Sequence, residues 1–350
     1  MNIEGIDMSI TIEDIREECE NYRTTIKVLQ AFTSLTWDVK TNNPMPGSHF
    51  TIGRMMDTSS INKIQPNNYV TPDAVIQFSD TLGYIVEVKN SLPKLVNDNW
   101  SECVEQLLKY DDDLVGWWTE GETIQTSCVV LLLDATRSNV FKRYLETLIQ
   151  EGKASFRKPL SIVQFSKTPT VKEFWLLQKH WGYIEDKEMS SRLEDGVAIP
   201  LIQVLGNPIY GEKKFYDPPP PHVEYMMVEL WENLFNDKKQ HTEYDSSLHA
   251  WPIPVNVEDL TIELQLAYGS QGKEHRMVAF PLNAWVRDAL EAFVWLKLAQ
   301  KENNDNYLIL FRLIIKKELF SYFFEWRRLS TKGKRKDQSK QMPLFTENKV

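Results

Sequence analysis

The sequence has few of the residues that build compact metal or nucleotide sites. Its three cysteines, Cys19, Cys103 and Cys128, lie far apart and form no CxxC pair, which argues against a zinc knuckle or an iron–sulfur cluster. The six histidines form no HxxxH pair and no GxxxxGK[ST] loop is present. We therefore expect neither a histidine-built metal site nor an ATP-driven motor.

Long apolar runs are also absent. The longest, "CVVLLLD", has the length of a buried strand rather than of a membrane span. The first residues, "MNIEGIDMSITIEDIREE", are acidic and lack the basic start and apolar stretch of a secretory signal. With so few cysteines, these features predict a cytoplasmic protein that has no membrane partner.

An overall excess of positive charge is lacking, because the formal net charge is −9. The distribution is uneven, however. Between residues 311 and 340, ten basic residues are opposed by three acidic ones, so this stretch carries +7 and the remainder −16. Such asymmetry indicates an anionic partner at the C-terminal end. A solvated basic tail explains the same composition.

The chain of 350 residues is long enough for two domains. Apolar periodicity predicts a helix, three strands, a helix and a strand, which is an α/β domain over residues 1–185. Residues 186–221 are polar, include "YDPPPP", and indicate a linker with a stiff spacer. Residues 222–330 are mainly helical, a pattern compatible with a winged helix-turn-helix and with a plain helical bundle. Residues 331–350 read as a flexible basic tail.

One predicted hairpin carries an unusual charge group. In "TPDAVIQFSDTLGYIVEVKN", burial of one apolar face favours a register that pairs Ala74 with Val88 and Ile76 with Val86, with a turn over residues 80–83. The other face then gathers three charged side chains at the open end of the hairpin, namely Asp73, Glu87 and Lys89. Strands usually disfavour such residues.

The cluster has a chemical use. Carboxylates on neighbouring strands can bind Mg²⁺ or Mn²⁺, and the carbonyl of Val88 can add a ligand. Lys89 can orient or help deprotonate a water and can offset charge that develops on a phosphate. A surface hairpin end with one salt bridge would also explain an isolated Glu-X-Lys.

Two helices add candidate partners for this cluster. Glu18 lies beside the apolar stripe of the first helix, where its carboxylate could reach the metal. Gln106 and Tyr110 are four residues apart on the helix that follows the hairpin, so they share a face. Other candidates are weaker: we expect Trp117 to serve core packing and Asp111 to belong to a solvated helix end.

Asp73 followed by Glu87-Val88-Lys89, in this order of elements, resembles the PD-(D/E)XK nuclease superfamily. Gln106-x-x-x-Tyr110 is similar to the extra motif of its RecB-like branch. The resemblance spans residues 10–135 and implies a restriction-endonuclease-like core that hydrolyses DNA with a divalent metal. It implies metal binding by Asp73 and Glu87, a role for Lys89 at the attacking water, and support from Gln106 and Tyr110. The cysteine cluster of the iron–sulfur members is missing.

The tail contains "QMPLF", in which Gln341, Leu344 and Phe345 resemble the peptide by which bacterial DNA-processing enzymes dock on the sliding clamp. A flexible tether that ends in two large apolar residues suits such docking. The sequence thus predicts a Mg²⁺-dependent deoxyribonuclease with a DNA-holding C-terminal region. The alternative is a catalytically inactive DNA-binding or clamp-interacting protein with the same fold.

Overall fold

The computed structural model describes most of the chain between residues 11 and 331. The described residues are 11–38, 43–44, 49–52, 56–58, 69–78, 81–90, 92, 98–117, 123–168, 174–200, 214–215, 221–268, 281–314 and 316–331. None of the helices in these ranges combines the length and the apolar character needed to cross a membrane. The basic residues beyond Thr331 and the segment with Gln341, Leu344 and Phe345 lie outside the described residues.

The chain forms two compact units. The larger unit comprises residues 21–220 and 265–280, and the smaller unit comprises residues 1–20, 221–264 and 281–350. The break at residue 220 coincides with the end of the predicted proline-rich spacer. The first twenty residues, however, group with the C-terminal part of the chain rather than with the α/β domain in which the sequence places them.

A seven-stranded sheet organises the larger unit. Its strands lie in the order β12-β11-β10-β9-β7-β6-β3. The central strands β7, β9 and β10 are parallel, and the outer pairings are antiparallel. The strands are β3 (His49–Ile52), β6 (Ala74–Gln77), β7 (Leu82–Lys89), β9 (Thr126–Asp134), β10 (Leu160–Thr168), β11 (Phe174–Gly182) and β12 (Val197–Pro200). The unit also contains two small sheets. One has two strands, β1 (Trp37–Asp38) and β2 (Asn43–Pro44), and the other has three, with β4 (Met56–Thr58) between β5 (Tyr69–Val70) and β8 (Leu114–Val115).

Helices connect the parallel strands, as a parallel arrangement requires. The helices are α1 (Ile12–Thr33), α2 (Asp98–Tyr110), α3 (Ala135–Gln150) and α4 (Lys187–Asp195). α2 lies between β7 and β9 in the chain, and α3 lies between β9 and β10. A capping box, in which Thr11 and Asp14 exchange hydrogen bonds, begins α1. The structure contains α1, the sheet strands β3, β6 and β7, then α2 and β9, in that order, and it adds the short strands β1, β2, β4, β5 and β8, which the sequence did not indicate.

The core explains why α2 lies over the hairpin. Trp100, Val104 and Leu107 of α2 are buried in one cluster with Val75 and Ile85. Both faces of the hairpin are therefore covered, whereas the sequence led us to expect one apolar face only. Val75 and Ile85 share their face with Glu87 and Lys89, because side chains alternate along a strand.

The hairpin register differs from the predicted one by two residues. Ala74 pairs with Val86 and Ile76 with Tyr84. The N–H of Phe78 donates to the carbonyl of Leu82 at 2.9 Å, so Leu82 and Gly83 belong to β7 rather than to the turn. Burial selects which residues share a face, but a shift of two leaves every face unchanged. The sequence therefore predicted the faces correctly and the pairing wrongly.

Part of the predicted linker is ordered secondary structure. Asp186 caps α4 by accepting from the N–H of Met189 at 2.6 Å, and Met189 and Leu193 are buried. β12 then pairs with β11 as an edge strand. The segment looks like a linker in composition because α4 exposes most of its residues and β12 is short.

The smaller unit combines helices with a three-stranded antiparallel sheet of order β13-β15-β14. Its elements are α5 (Val223–Glu229), which continues through a π-helical turn (Leu230–Phe235), β13 (Trp251–Asn256), α6 (Val257–Tyr268), α7 (Asn283–Trp295), β14 (Ala299–Lys301), β15 (Asn306–Phe311) and α8 (Lys316–Thr331). α6 runs across the boundary at residue 264. A plain helical bundle is therefore ruled out as the architecture of this region. The order of helix, strand, two helices and two hairpin strands remains compatible with a winged helix-turn-helix.

Candidate active site

The two carboxylates of the hairpin lie opposite each other at its open end. Continuing the observed register one step beyond Ala74–Val86 places Asp73 across from Glu87. Asp73 Oδ2 accepts a hydrogen bond from the N–H of Val88 at 2.7 Å. The exposed fractions of Asp73 and Glu87 are 5% and 2%, so two acidic groups share a nearly dry environment.

Burial and mutual repulsion disfavour two negative charges here. Burial, followed by the charge of Glu87, raises the pKa of Asp73 well above its ordinary range, although Lys89 and the N–H of Val88 pull it down. Without a further cation, Asp73 therefore holds a proton to a higher pH than an exposed aspartate. Because two negative charges are unfavourable here without a cation, the site is suited to a positive ligand.

Lys89 supplies one positive charge from within the chain. Its Nζ donates to Glu87 Oε1 at 2.7 Å and to Gln106 Oε1 at 3.0 Å. Burial lowers the pKa of Lys89, but the charges of Glu87 and Asp73 outweigh it and raise the pKa overall. Lys89 is thus an ammonium ion in this arrangement, which favours orienting and charge-stabilising roles over that of a base.

Gln106 and Tyr110 complete a closed ring of hydrogen bonds. Gln106 Nε2 donates to the hydroxyl of Tyr110 at 2.7 Å, and that hydroxyl donates to Glu87 Oε2 at 2.8 Å. Burial and the charge of Glu87 raise the pKa of Tyr110, so its hydroxyl stays protonated and remains a donor. We call Glu87, Lys89, Gln106 and Tyr110 the hydrogen-bonded ring.

The structure thus brings together Asp73, Glu87, Lys89, Gln106 and Tyr110. Glu18 is engaged elsewhere: it belongs to the smaller unit, where Oε2 contacts Arg327 and lies 3.8 Å from Nδ1 of His222. Val88 contributes its N–H to Asp73, and its carbonyl as a metal ligand stays a prediction, as does Glu18.

Sequence reasoning missed two residues that hold the ring in place. Asn90 Nδ2 donates to the carbonyl of Asn21 at 2.6 Å and to the hydroxyl of Thr25 at 3.0 Å, which ties the end of β7 to α1. Asp111 is buried instead of solvated. Its carboxylate accepts the N–H groups of Arg157 and Lys158 at 2.8–2.9 Å. In the sequence, only the position of Asn90 directly after Lys89 could have indicated its role.

Neighbouring side chains fix the end of α2 and the start of β7. Lys158 Nζ donates to the carbonyl of Tyr110 at 3.0 Å. Trp117 is buried and packs so closely against Gly83 that a Cβ on Gly83 would lie 2.2 Å from the Trp117 ring. This confirms the expected place of Trp117 in the core. Close packing on both sides therefore defines the position of the ring.

The donors available for a cation are hard oxygens, which suit Mg²⁺ or Mn²⁺. Among the side chains that the structure describes, no group of three or more His, Cys, Asp or Glu is placed to hold a metal. A cation at the hairpin would therefore take two carboxylates, with substrate and water completing its shell. Mg²⁺ commonly binds proteins in this way.

Comparison of the chain with protein-family models, with curated proteins and with solved structures finds no match.

Proposed function

We propose that the hairpin site hydrolyses phosphodiester bonds of DNA with the help of Mg²⁺ or Mn²⁺. The observation that carries the proposal is the hydrogen-bonded ring, with Asp73 opposite Glu87. An incidental salt bridge would explain Lys89 beside Glu87. It would not explain why two residues four apart on another element complete the ring, with Gln106 bound to Lys89 and Tyr110 bound to Glu87.

Each residue then has a role. Asp73 and Glu87, with the carbonyl of Val88, would hold the cation, which when bound supplies positive charge against the charge that develops on the phosphate. Lys89 donates hydrogen bonds toward the attacked phosphate or its water and adds a second positive charge. Gln106 and Tyr110 orient Lys89 and Glu87 without contacting the reacting atoms.

The fold we propose for the larger unit is a restriction-endonuclease-like core. In support, the charged hairpin is followed by a helix and a parallel strand in the order that the PD-(D/E)XK resemblance implies. For the smaller unit we propose a winged helix that holds DNA. In support, two helices, α6 and α7, stand between β13 and the β14–β15 hairpin.

Part of the basic C-terminal stretch is already engaged within the smaller unit. Arg327 contacts Glu18 and Glu224, and Arg328 donates to Glu325. We therefore assign DNA contacts to the basic residues after Thr331, and we propose that Gln341, Leu344 and Phe345 dock on a bacterial sliding clamp. A nuclease of this kind would act in the cytoplasm, where three buried thiols stay reduced.

One observation favours the catalytically inactive alternative. Both carboxylate oxygens of Glu87 already accept hydrogen bonds, from Lys89 and from Tyr110. A protein that kept this ring for stability alone would show the same contacts.

A cleavage assay separates the two functions. Linear, circular, single-stranded and branched DNA would be incubated with the full chain in Mg²⁺ and in a chelator. Asp73→Ala, Glu87→Ala and Lys89→Ala should each abolish Mg²⁺-dependent cleavage while the circular dichroism spectrum is retained. Asp113→Ala and Lys109→Ala, which each remove a nearby exposed charge, serve as controls. Cleavage by Glu87→Ala at the wild-type rate would contradict the assignment of the hairpin as the active site.

A further inference from the structure

The smaller unit contains a cavity of about 400 Å³ at one end of its sheet. It is lined by Tyr244, His249, Trp251, Arg312 and Leu313. Trp251 begins β13 and pairs with Phe311, the last residue of β15. The cavity therefore lies at the sheet end opposite to the turn between β14 and β15. The cavity is largely open to solvent, so a ligand would lie across its surface rather than inside an enclosed pocket.

Two aromatic rings form the cavity wall. Tyr244 is 50% exposed, and its ring centroid lies 4.8 Å from that of Trp251, with the two rings inclined at 65°. Trp251 is supported from behind, since its ring lies 6.3 Å from Phe311, whose own ring is 5.0 Å from Trp231. An outer ring with solvent on one side and rigid rings on the other is a suitable surface for stacking a planar group.

Positive groups accompany these rings. Arg312 lines the cavity and donates from Nη2 to the carbonyl of Leu248 at 3.3 Å. Lys239 Nζ lies 5.9 Å from the ring centroid of Trp251 and 5.6 Å from that of Phe311. Arg312 in the lining, and Lys239 nearby, whose Nζ donates to Asn236 Oδ1 at 2.7 Å, thus place positive charge beside the aromatic rings. This favours an aromatic ligand that carries negative charge.

The wall is held in a defined conformation. Asp245 Oδ1 accepts the N–H groups of Ser247 and Leu248 at 2.7 and 3.2 Å, so this nearby carboxylate is used within its own turn. Asp245 and Ala250 form a β-bridge that closes the loop. His249 has a φ of 49°, a left-handed conformation that non-glycine residues adopt infrequently.

We propose that this cavity binds a nucleotide of single-stranded DNA. The base stacks on Tyr244, beside Trp251, and a flanking phosphate lies against Arg312 and Lys239. The inference rests on the proposed function, because DNA is the partner proposed there. It adds a single-strand contact in the smaller unit that is separate from the hairpin. A cationic ligand is disfavoured by the two positive side chains.

The test is a fluorescence anisotropy titration of the full chain, in a chelator that prevents cleavage, with labelled dT12. A second probe is a twelve-residue abasic oligonucleotide, which has the phosphates but no bases. Tyr244→Ala should weaken binding of dT12 at least about tenfold and leave binding of the abasic strand unchanged. Arg312→Gln should weaken both probes. Tyr183→Ala and Arg143→Gln, which alter an equally exposed tyrosine and an exposed arginine of the larger unit, should change neither.

Each outcome decides the proposal. Equal affinity of wild type and Tyr244→Ala for dT12 would overturn it, as would a loss confined to variants with lowered melting temperatures. Binding of an acidic peptide that depends on Tyr244 while dT12 binding does not would assign the cavity to peptides instead. Cleavage of short duplex DNA in Mg²⁺, measured on the same preparations, distinguishes failure of this inference from failure of the proposed nuclease function.

Discussion

Asp73 is a residue whose environment works against its own charge. It is buried, it lies opposite Glu87, and one of its oxygens is held by the N–H of Val88. Nothing in folding favours such a pair, because two apolar side chains at these positions would repel less. Residues that cost stability where they stand are frequently functional. The residues of the site thus lower stability, whereas those of the surrounding core raise it, and this difference indicates a function for the site.

The raised pKa of Asp73 predicts how stability depends on pH without metal. The folded state binds the proton more tightly than the unfolded state, so unfolding becomes easier as the pH rises from aspartate's ordinary value through the folded pKa. The slope from one group is at most about 1.4 kcal/mol per pH unit. Asp73→Asn keeps an acceptor for Val88 but does not titrate.

Thermal melts in a chelator between pH 4 and pH 7 measure this effect. The melting temperature of Asp73→Asn should exceed that of the wild type by a margin that grows with pH. Saturating Mg²⁺ should stabilise the wild type and not the variant. A margin that is constant with pH, or that shrinks, would show that folding does not raise the pKa of Asp73.

Tyr110 tests whether the hydrogen-bonded ring orients the site. Tyr110→Phe leaves a buried oxygen of Glu87 and the amide of Gln106 without this partner. That should cost about 1–3 kcal/mol of stability and slow cleavage about 10–100-fold. The reaction should persist, because the hydroxyl performs no chemistry. Tyr144→Phe, a half-buried tyrosine of α3, is the matched control. Unchanged cleavage by Tyr110→Phe in a stopped assay would remove the ring from the mechanism.

At the scale of elements, the end of β7 is held from two sides. α2 contacts it through Gln106 and Tyr110, and α1 contacts it through the Asn90 amide. Asn90 directly follows Lys89, so its contacts to Asn21 and Thr25 determine where the strand ends. A loose strand end would let Lys89 and Glu87 move apart.

Asn90→Ala should therefore lower both stability and cleavage. The loss of two hydrogen bonds should cost about 1–3 kcal/mol, and the rate should fall while the Mg²⁺ concentration for half-maximal rate changes little. Thr25→Val removes only one acceptor and should give a smaller effect of the same kind. If Asn90→Ala melts earlier yet cuts at the wild-type rate, the contact supports the fold without positioning Lys89.

Elements with strong periodicity were predictable, and their pairing was not. The stripe of Tyr22 and Ile26 in α1 and the apolar run of β9 required burial in any fold. The faces of β6 and β7 followed for the same reason. The register shifted by two because the turn geometry, which burial does not constrain, decides it. The hairpin charges were found from sequence spacing, whereas Asn90 and Asp111 act through partners that are distant in the sequence.

At the scale of the molecule, residues near the two ends of the described chain contact each other. Arg327 near the end of α8 donates to Glu224 from two nitrogens, at 2.5 and 2.6 Å, and also contacts Glu18 of α1. The smaller unit thus includes the beginning and the end of the described chain. No local pattern predicts a contact between residues 309 positions apart, and this is why the first helix was assigned wholly to the α/β domain.

Arg327 and Arg328 form a matched pair for testing this closure. Glu224 is 2% exposed, so Arg327→Met leaves a buried carboxylate unpaired and should cost about 3–5 kcal/mol. Arg328 pairs with Glu325 at the surface, and Arg328→Met should cost at most about 1 kcal/mol. Adding Glu224→Leu to Arg327→Met should recover much of the loss. Equal denaturation midpoints of the two single variants would contradict the ion-pair account.

The most direct test of the account is the initial rate of DNA cleavage as a function of Mg²⁺ concentration for the wild type and for Glu87→Gln. The variant keeps the size of the side chain and an acceptor for Tyr110, but loses the charge that would bind the cation. If a cation bound by Glu87 is needed for hydrolysis, the wild type should show saturable, chelator-sensitive cleavage and Glu87→Gln should cut only at the protein-free background rate. Cleavage by Glu87→Gln at the wild-type rate, or no cleavage by the wild type on any of the four DNA forms, would contradict it.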